Sequence, residues 1–153
     1  MNLQKLNILM NKLILGFPGV GKTTLCNENT SYIKDIDCSR YQKLPGWEIE
    51  YIDELEKYRQ LGHLVLGSTG LEIFNEILKR KIPVLVFYPD ISMKSVFIDR
   101  YTARNNQKEF IEFYSSNWKK FIDEIEKLFP TSCYKLYDEF MTDIDQTIFL
   151  DQS

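Results

Sequence analysis

The chain has 153 residues, 44% hydrophobic and 27% charged, a balance that fits one ordinary domain with its own core and argues against a disordered or membrane class. A formal net charge of -3 provides no basic footprint for gripping long nucleic acid and leaves at most a short end as a substrate. Cys26, Cys38 and Cys133 are widely spaced and odd in number, which suits reduced thiols in a cytoplasm better than a disulfide framework or a zinc site.

Met1 to Met10 carry one lysine and no small-residue cleavage site, so a secretory signal is not expected. Residues 1–9 read as an extension ahead of the core, with the start at Met1 or Met10 left open. Leu13 to Gly16 is a short apolar run ending in a glycine loop, and a short helix opens at Lys22 and stops in the polar cluster 27–31. Tyr32 to Asp37 reads as a second strand running into a turn.

After the Pro45-Gly46 loop, Trp47, Tyr51, Ile52, Leu55 and Tyr58 recur at helical spacing, and Gly62 caps that helix. His63 to Leu66 begins a buried third strand closed by Ser68 and Thr69. Leu71, Phe74, Ile77 and Leu78 mark a third helix, and Val84 to Tyr88 a fourth strand. Beyond Asp90, Ser92 is placed to cap a helix reaching Arg104.

Asn105-Asn106 then forms a loop, and one long helix is expected over about 108–129 on the stripe Phe110, Tyr114, Trp118, Phe121, Ile125 and Leu128. That aromatic stripe reads as core rather than as a wall for stacking bases. Tyr134 to Tyr137 is the last strand, followed by a short helical tail. The longest apolar runs, such as Pro83 to Tyr88, fall far short of the roughly 18 residues of a spanning helix.

Alternating strands and helices predict a three-layer α/β/α fold with a parallel sheet of about five strands. His63, the lone histidine, sits at a strand entrance and reads as structural, which excludes His-based triads and histidine-rich metal sites.

The segment Gly16-Phe17-Pro18-Gly19-Val20-Gly21-Lys22-Thr23 fits G-x-x-x-x-G-K-[ST] and lies between a strand and a helix. Glycines let the backbone curl so that several N–H groups converge on phosphate oxygens, and Thr24 extends the set into the helix. Lys22 supplies a mobile charge for the outer phosphates of ATP or GTP, and the Thr23 hydroxyl suits Mg²⁺. Motor and switch proteins with this loop hold the metal with an acid closing a buried strand; the Leu64 to Thr69 strand ends instead in hydroxyls.

Acids follow the second strand, in Asp35-Ile36-Asp37-Cys38-Ser39-Arg40. In extended chain Asp35 and Asp37 share a face at the carboxyl end of the sheet, where α/β proteins bind ligands. Asp37 suits the carboxylate that orients an attacking hydroxyl, although both acids also suit turn and cap positions. Arg100 and Arg104 lie four apart on one helix face and can reach one phosphate-rich site. Losing such an arginine would cost on the order of a thousandfold in rate.

The Asp-x-Asp after the second strand resembles that of small P-loop kinases such as shikimate kinase. Asp37 three residues before Arg40 resembles the polynucleotide 5′-hydroxyl kinases of phages. The chain as a whole resembles a family of small phage-encoded P-loop proteins described as nucleoside or nucleotide kinase-like. The resemblance is carried by Gly16 to Thr23, Asp35 to Ser39, Val86 to Asp90, Asp99-Arg100-Tyr101 with Arg104-Asn105, and Asn117-Trp118.

The resemblance implies ATP-dependent transfer to a small hydroxyl or phosphate acceptor, with Asp37 as base and Asp35 near the metal. It also implies a short helical lid after the fourth strand that supplies Arg100 and Arg104 to the transition state. The acceptor is expected against Asp35, Asp37, Arg40 and the helix carrying Trp47 and Tyr51. A 5′-hydroxyl end kinase and a nucleotide-binding regulatory protein without turnover stand as alternatives.

Overall fold

The computed structural model describes residues 12–28 and 31–143. Its elements run β1 (Leu13–Gly16), α1 (Lys22–Glu28), β2 (Ile33–Ile36), α2 (Trp47–Gln60), β3 (Leu64–Ser68), α3 (Leu71–Arg80), β4 (Leu85–Pro89), α4 (Lys94–Ala103), α5 (Lys108–Ser116), α6 (Trp118–Leu128) and β5 (Cys133–Leu136). The proposed extension over residues 1–9 lies outside the described residues, as does the tail beyond residue 143.

The five strands form one sheet in the order β2-β3-β1-β4-β5, every neighbouring pair parallel, and helices flank it in the expected α/β/α arrangement. Strands β1, β3 and β4 are buried at every position and therefore read as continuous apolar runs rather than alternating ones. The chain leaves β1 towards β2 on one side, while β4 and β5 extend the sheet on the other. At such a change of direction the strand ends part to form a crevice.

Two local expectations are corrected. The long helix breaks in two at Asn117, whose backbone leaves the helical region (φ -109°, ψ 16°) while its side-chain amide donates to the Phe113 carbonyl. The aromatic period continues across the break, so α6 still seats Trp118, Ile122 and Ile125 in the core. Ser92 does not cap α4: Met93 stands at that position and makes no side-chain cap bond, while Asp90 caps the preceding turn over Ile91–Met93, its carboxylate accepting from the Ser92 amide. On α3 the buried face is Ile73, Phe74 and Ile77, while Leu71 and Leu78 are 44% and 41% exposed.

Tyr51 ties three elements together. Its ring is fully buried, its hydroxyl donates to the Ile36 carbonyl at 2.5 Å, and it accepts from the Ser68 amide at 2.9 Å. The carboxyl ends of β2 and β3 are thus held in register by one phenol from α2. Tyr51→Phe keeps the packing but strands both partners, and is expected to destabilise the fold by about 1–3 kcal/mol, read by denaturant unfolding.

Candidate phosphate-binding site

The loop from Gly16 to Lys22 needs backbone shapes that side chains oppose: Gly19 and Gly21 sit at φ 92° and 102°. A Cβ on Gly19 would also come within 3.1 Å of the Phe97 and Tyr101 rings, so α4 lies directly on the loop. The amides of Gly19, Gly21, Lys22 and Thr23 donate to no described residue. Phe17 and Val20 are core residues, 1% and 0% exposed, and fix the loop from below rather than facing a ligand with their side chains.

A cavity of about 860 Å³ opens above this loop at the carboxyl ends of β1, β2 and β3. Its floor is Gly16, Pro18, Gly19, Gly21, Lys22, Thr23 and Thr24. Asp35, Asp37, Ser39, Lys43, Ser68 and Thr69 form one wall, and Arg100, Arg104, Phe110, Tyr114 and Phe140 the other. The glycine-loop residues, both acids and both arginines singled out in the sequence therefore meet at one place.

Lys22 donates from Nζ to the carbonyls of Gly16 (2.9 Å) and Gly67 (3.3 Å). Burial lowers its pKa below the usual lysine value and Arg104 pushes the same way, while Asp35 and Asp37 oppose the shift. The ammonium thus lies in the field of two carboxylates, while the hydrogen bonds it makes to described residues go to carbonyls.

Asp35 and Asp37 are pushed apart as acids. Burial raises the Asp35 carboxyl above its ordinary value, with Asp37 adding to the rise, against the pull of Lys22 and a hydrogen bond from Thr23. At Asp37 burial also raises the pKa, but the Ser39 amide and hydroxyl, Lys22 and Lys43 outweigh it, so the net shift is downward. The Ser39 amide donates to Asp37 Oδ1 at 2.7 Å, making Asp37 the cap of a turn over Cys38–Arg40 as well as a wall of the cavity.

An acid whose folded pKa is raised loses stability as pH climbs through the interval between its unfolded and folded values. Asp35 therefore costs stability at neutral pH in the metal-free protein. Asp35→Asn, which keeps the shape of the side chain, should melt higher than the parent at pH 7, and the gain should vanish at pH 3. A lower melting temperature at pH 7 would contradict this placement of Asp35.

Thr23 and Asp35 fit a divalent ion: the Thr23 hydroxyl and the Asp35 carboxylate line the same cavity and are hard oxygen donors beside the loop. No cluster of three or more His, Cys, Asp or Glu able to hold a metal occurs among the described residues. Phosphate oxygens and water would have to complete the shell, as Mg²⁺ usually demands.

Other expected site residues lie elsewhere. Arg40 is exposed and does not line the cavity. Trp47 packs its ring against Tyr51 and carries the Lys43 ammonium 4.2 Å above it, so it reaches the site only through Lys43. Tyr51 has no exposed surface for an acceptor. Arg100 lines the cavity with its guanidinium already engaged: it donates to the Gly19 carbonyl at 2.8 Å and to the Asp138 carbonyl, between the rings of Phe97 and Phe140. Arg104 is held more loosely, by the Asn106 side-chain carbonyl at 3.0 and 3.2 Å.

The aromatic stripe is only partly core. Phe110 and Tyr114 line the cavity with ring centroids 4.7 Å apart, whereas Trp118 is buried. The Tyr114 hydroxyl makes no hydrogen bond to a described residue, and burial, with Cys38 and Asp37 nearby, pushes its pKa up to about 12.

Lys43, Ser68, Asn106 and Phe140 are wall residues that the sequence pattern did not single out for the site. Ser68 alone had a signal, as the hydroxyl where an acid was sought; its Oγ accepts from the Cys38 amide at 3.0 Å and holds the turn after Asp37. No helix of the described residues is long and apolar enough to cross a membrane. No protein-family model matches the sequence.

Proposed function

We propose that the chain is a small P-loop phosphotransferase that moves the terminal phosphoryl group of ATP or GTP to a hydroxyl or phosphate of a nucleoside, nucleotide or similar small acceptor. The observation that carries this reading is the meeting of Lys22 and Thr23 with Asp35 and Asp37 in one cavity.

In this reading the free loop amides and Lys22 hold the donor's phosphates, and Thr23 with Asp35 holds Mg²⁺. Mg²⁺, when bound, neutralises charge that builds on the phosphate oxygens. Asp37, kept ionised, accepts a hydrogen bond from the acceptor hydroxyl through its oxygen not used by Ser39 and aims that oxygen at phosphorus. A loose transition state needs little early deprotonation, so a carboxylate of lowered pKa can orient the hydroxyl and take its proton late. Arg104, across the cavity, offsets charge on the transferring group.

The position of Arg40 off the cavity weakens the oligonucleotide-end alternative. The absence of an acid after β3, where Ser68 and Thr69 stand, is the observation favouring a nucleotide-binding protein without turnover. Both are separated from the proposal by incubating the chain with terminally labelled ATP, Mg²⁺ and a panel of nucleosides, nucleoside monophosphates and 5′-hydroxyl oligonucleotides. Label on a nucleoside or nucleotide, absent with Lys22→Ala, is the expected result. Tight ATP binding without transfer to any acceptor would overturn it, as would product formed equally by the Lys22 variant.

A further inference from the structure

Three successive carbonyls of the loop are each held from outside it. The Tyr101 hydroxyl donates to Pro18 O at 2.7 Å, Arg100 Nη1 to Gly19 O at 2.8 Å, and the Met141 amide to Val20 O at 2.8 Å. The first two donors come from α4, and the third from the strap that follows β5.

The peptide bond is planar and trans, so fixing the direction of a carbonyl fixes the following N–H in the opposite direction. Holding Pro18 O and Val20 O outward therefore turns the Gly19 and Gly21 amides into the cavity. Those two residues are the positive-φ glycines of the loop, whose peptides are otherwise the freest to flip. Val20 N, between them, is used inside the loop on Phe17 O at 3.3 Å.

The donors are themselves rigid. Tyr101 is fully buried, Met141 is 2% exposed, and the Arg100 guanidinium lies between two rings at 4.5 Å (Phe97) and 4.0 Å (Phe140) while also donating to Asp138 O. An arginine whose donors are turned to loop and strap carbonyls in this way is poorly placed to meet a transferring phosphoryl group.

We infer that Arg100 and Tyr101, together with the Met141 amide, form a clamp that holds the P-loop amides in phosphate-binding orientation, so that Arg100 is a positioning residue rather than a transition-state cation. The inference rests on the proposed reading that the loop binds a nucleoside triphosphate. It adds that α4 and the strap set the loop's affinity from behind. The strap carries Phe140 on the cavity wall one residue from the clamping amide, which links contacts at the wall to the loop.

The test is equilibrium binding of ATP with Mg²⁺, inorganic tripolyphosphate and adenosine to the parent, Tyr101→Phe and Arg100→Lys, with melting temperatures in parallel. Tyr101→Phe removes one donor and keeps the ring. Its affinity for ATP and tripolyphosphate should fall about fivefold to tenfold, the scale of one hydrogen bond, while adenosine binding stays unchanged. Arg100→Lys, which keeps the charge but loses the planar fork, should fall at least as far.

A drop in melting temperature with the ratio of tripolyphosphate to adenosine affinity unaltered would reduce the clamp to ordinary packing and overturn the inference. So would an Arg100→Lys protein with parental triphosphate affinity and a lowered transfer rate, because that is the signature of a transition-state residue. Either of those outcomes leaves the phosphotransferase reading standing. Parental protein that binds neither ATP, GTP nor tripolyphosphate would overturn both.

Discussion

Lys22→Ala is expected to lower phosphoryl transfer by about a thousandfold or more and to weaken ATP binding, without unfolding the protein. The ammonium is a positive charge lining the cavity beside the loop, and removing one such preorganised donor alone is worth about 10²–10³ in rate. Lysine in this loop also neutralises the outer phosphates in the ground state, so binding falls with rate.

Folding should survive because burial already disfavours the charged lysine. A base whose folded pKa is lowered costs stability wherever it stays protonated, and alanine removes that cost while leaving the Gly16 and Gly67 carbonyls without their donor. The two effects oppose each other. Circular dichroism melting together with ATP titration separates lost function from lost fold; an alanine variant that binds and transfers like the parent would contradict the role given to Lys22.

Asp37→Asn should show the complementary pattern: transfer reduced by about 10²–10⁴, the range of a positioned acid or base, with ATP affinity little changed. Asparagine can still accept from the Ser39 amide, so the turn over Cys38–Arg40 is kept. What is lost is the negative charge that orients an acceptor hydroxyl.

The lowered pKa of Asp37 also sets two pH dependences. An acid depressed in the folded state adds stability above its unfolded pKa and loses it as pH falls through the folded value, so parent and variant should differ in stability at pH 7 and converge at strongly acid pH. The acid limb of the rate that belongs to Asp37 should lie below the usual carboxylate range. Full transfer by Asp37→Asn would sink its role as the acceptor-facing carboxylate.

The parts of the site written as contiguous sequence were legible from it. Gly16 to Thr23 carries its own geometry in its glycines, and Asp35 and Asp37 share a wall because strand side chains alternate with period two. The sheet was legible for a similar reason, since each buried strand is a short apolar run between turn signals.

What was not legible depends on where a polar tip finds its partner. Tyr51 resembles a ligand-facing tyrosine until its hydroxyl is seen bridging Ile36 and Ser68, and Arg100 resembles a phosphate ligand until its fork is seen on Gly19 and Asp138. Lys43, Asn106 and Phe140 reach the cavity from different elements, so no spacing rule links them.

The break at Asn117 was hidden because the aromatic repeat runs through it. The one-residue break there separates α5 from α6 without interrupting that repeat. At Asp90 and Ser92 both residues are good caps, and only the hydrogen bond from the Ser92 amide to Asp90 decides between them.

If the Gly16 to Thr23 loop holds the phosphates of a nucleoside triphosphate with its metal beside Asp35, a crystal structure with a non-hydrolysable ATP analogue and Mg²⁺ will show it. Phosphate oxygens are expected within hydrogen-bond reach of the Gly19, Gly21, Lys22 and Thr23 amides, and the metal on the Thr23 hydroxyl with the Asp35 carboxylate next to it. An analogue bound elsewhere, or a loop left empty at saturating analogue, would contradict it.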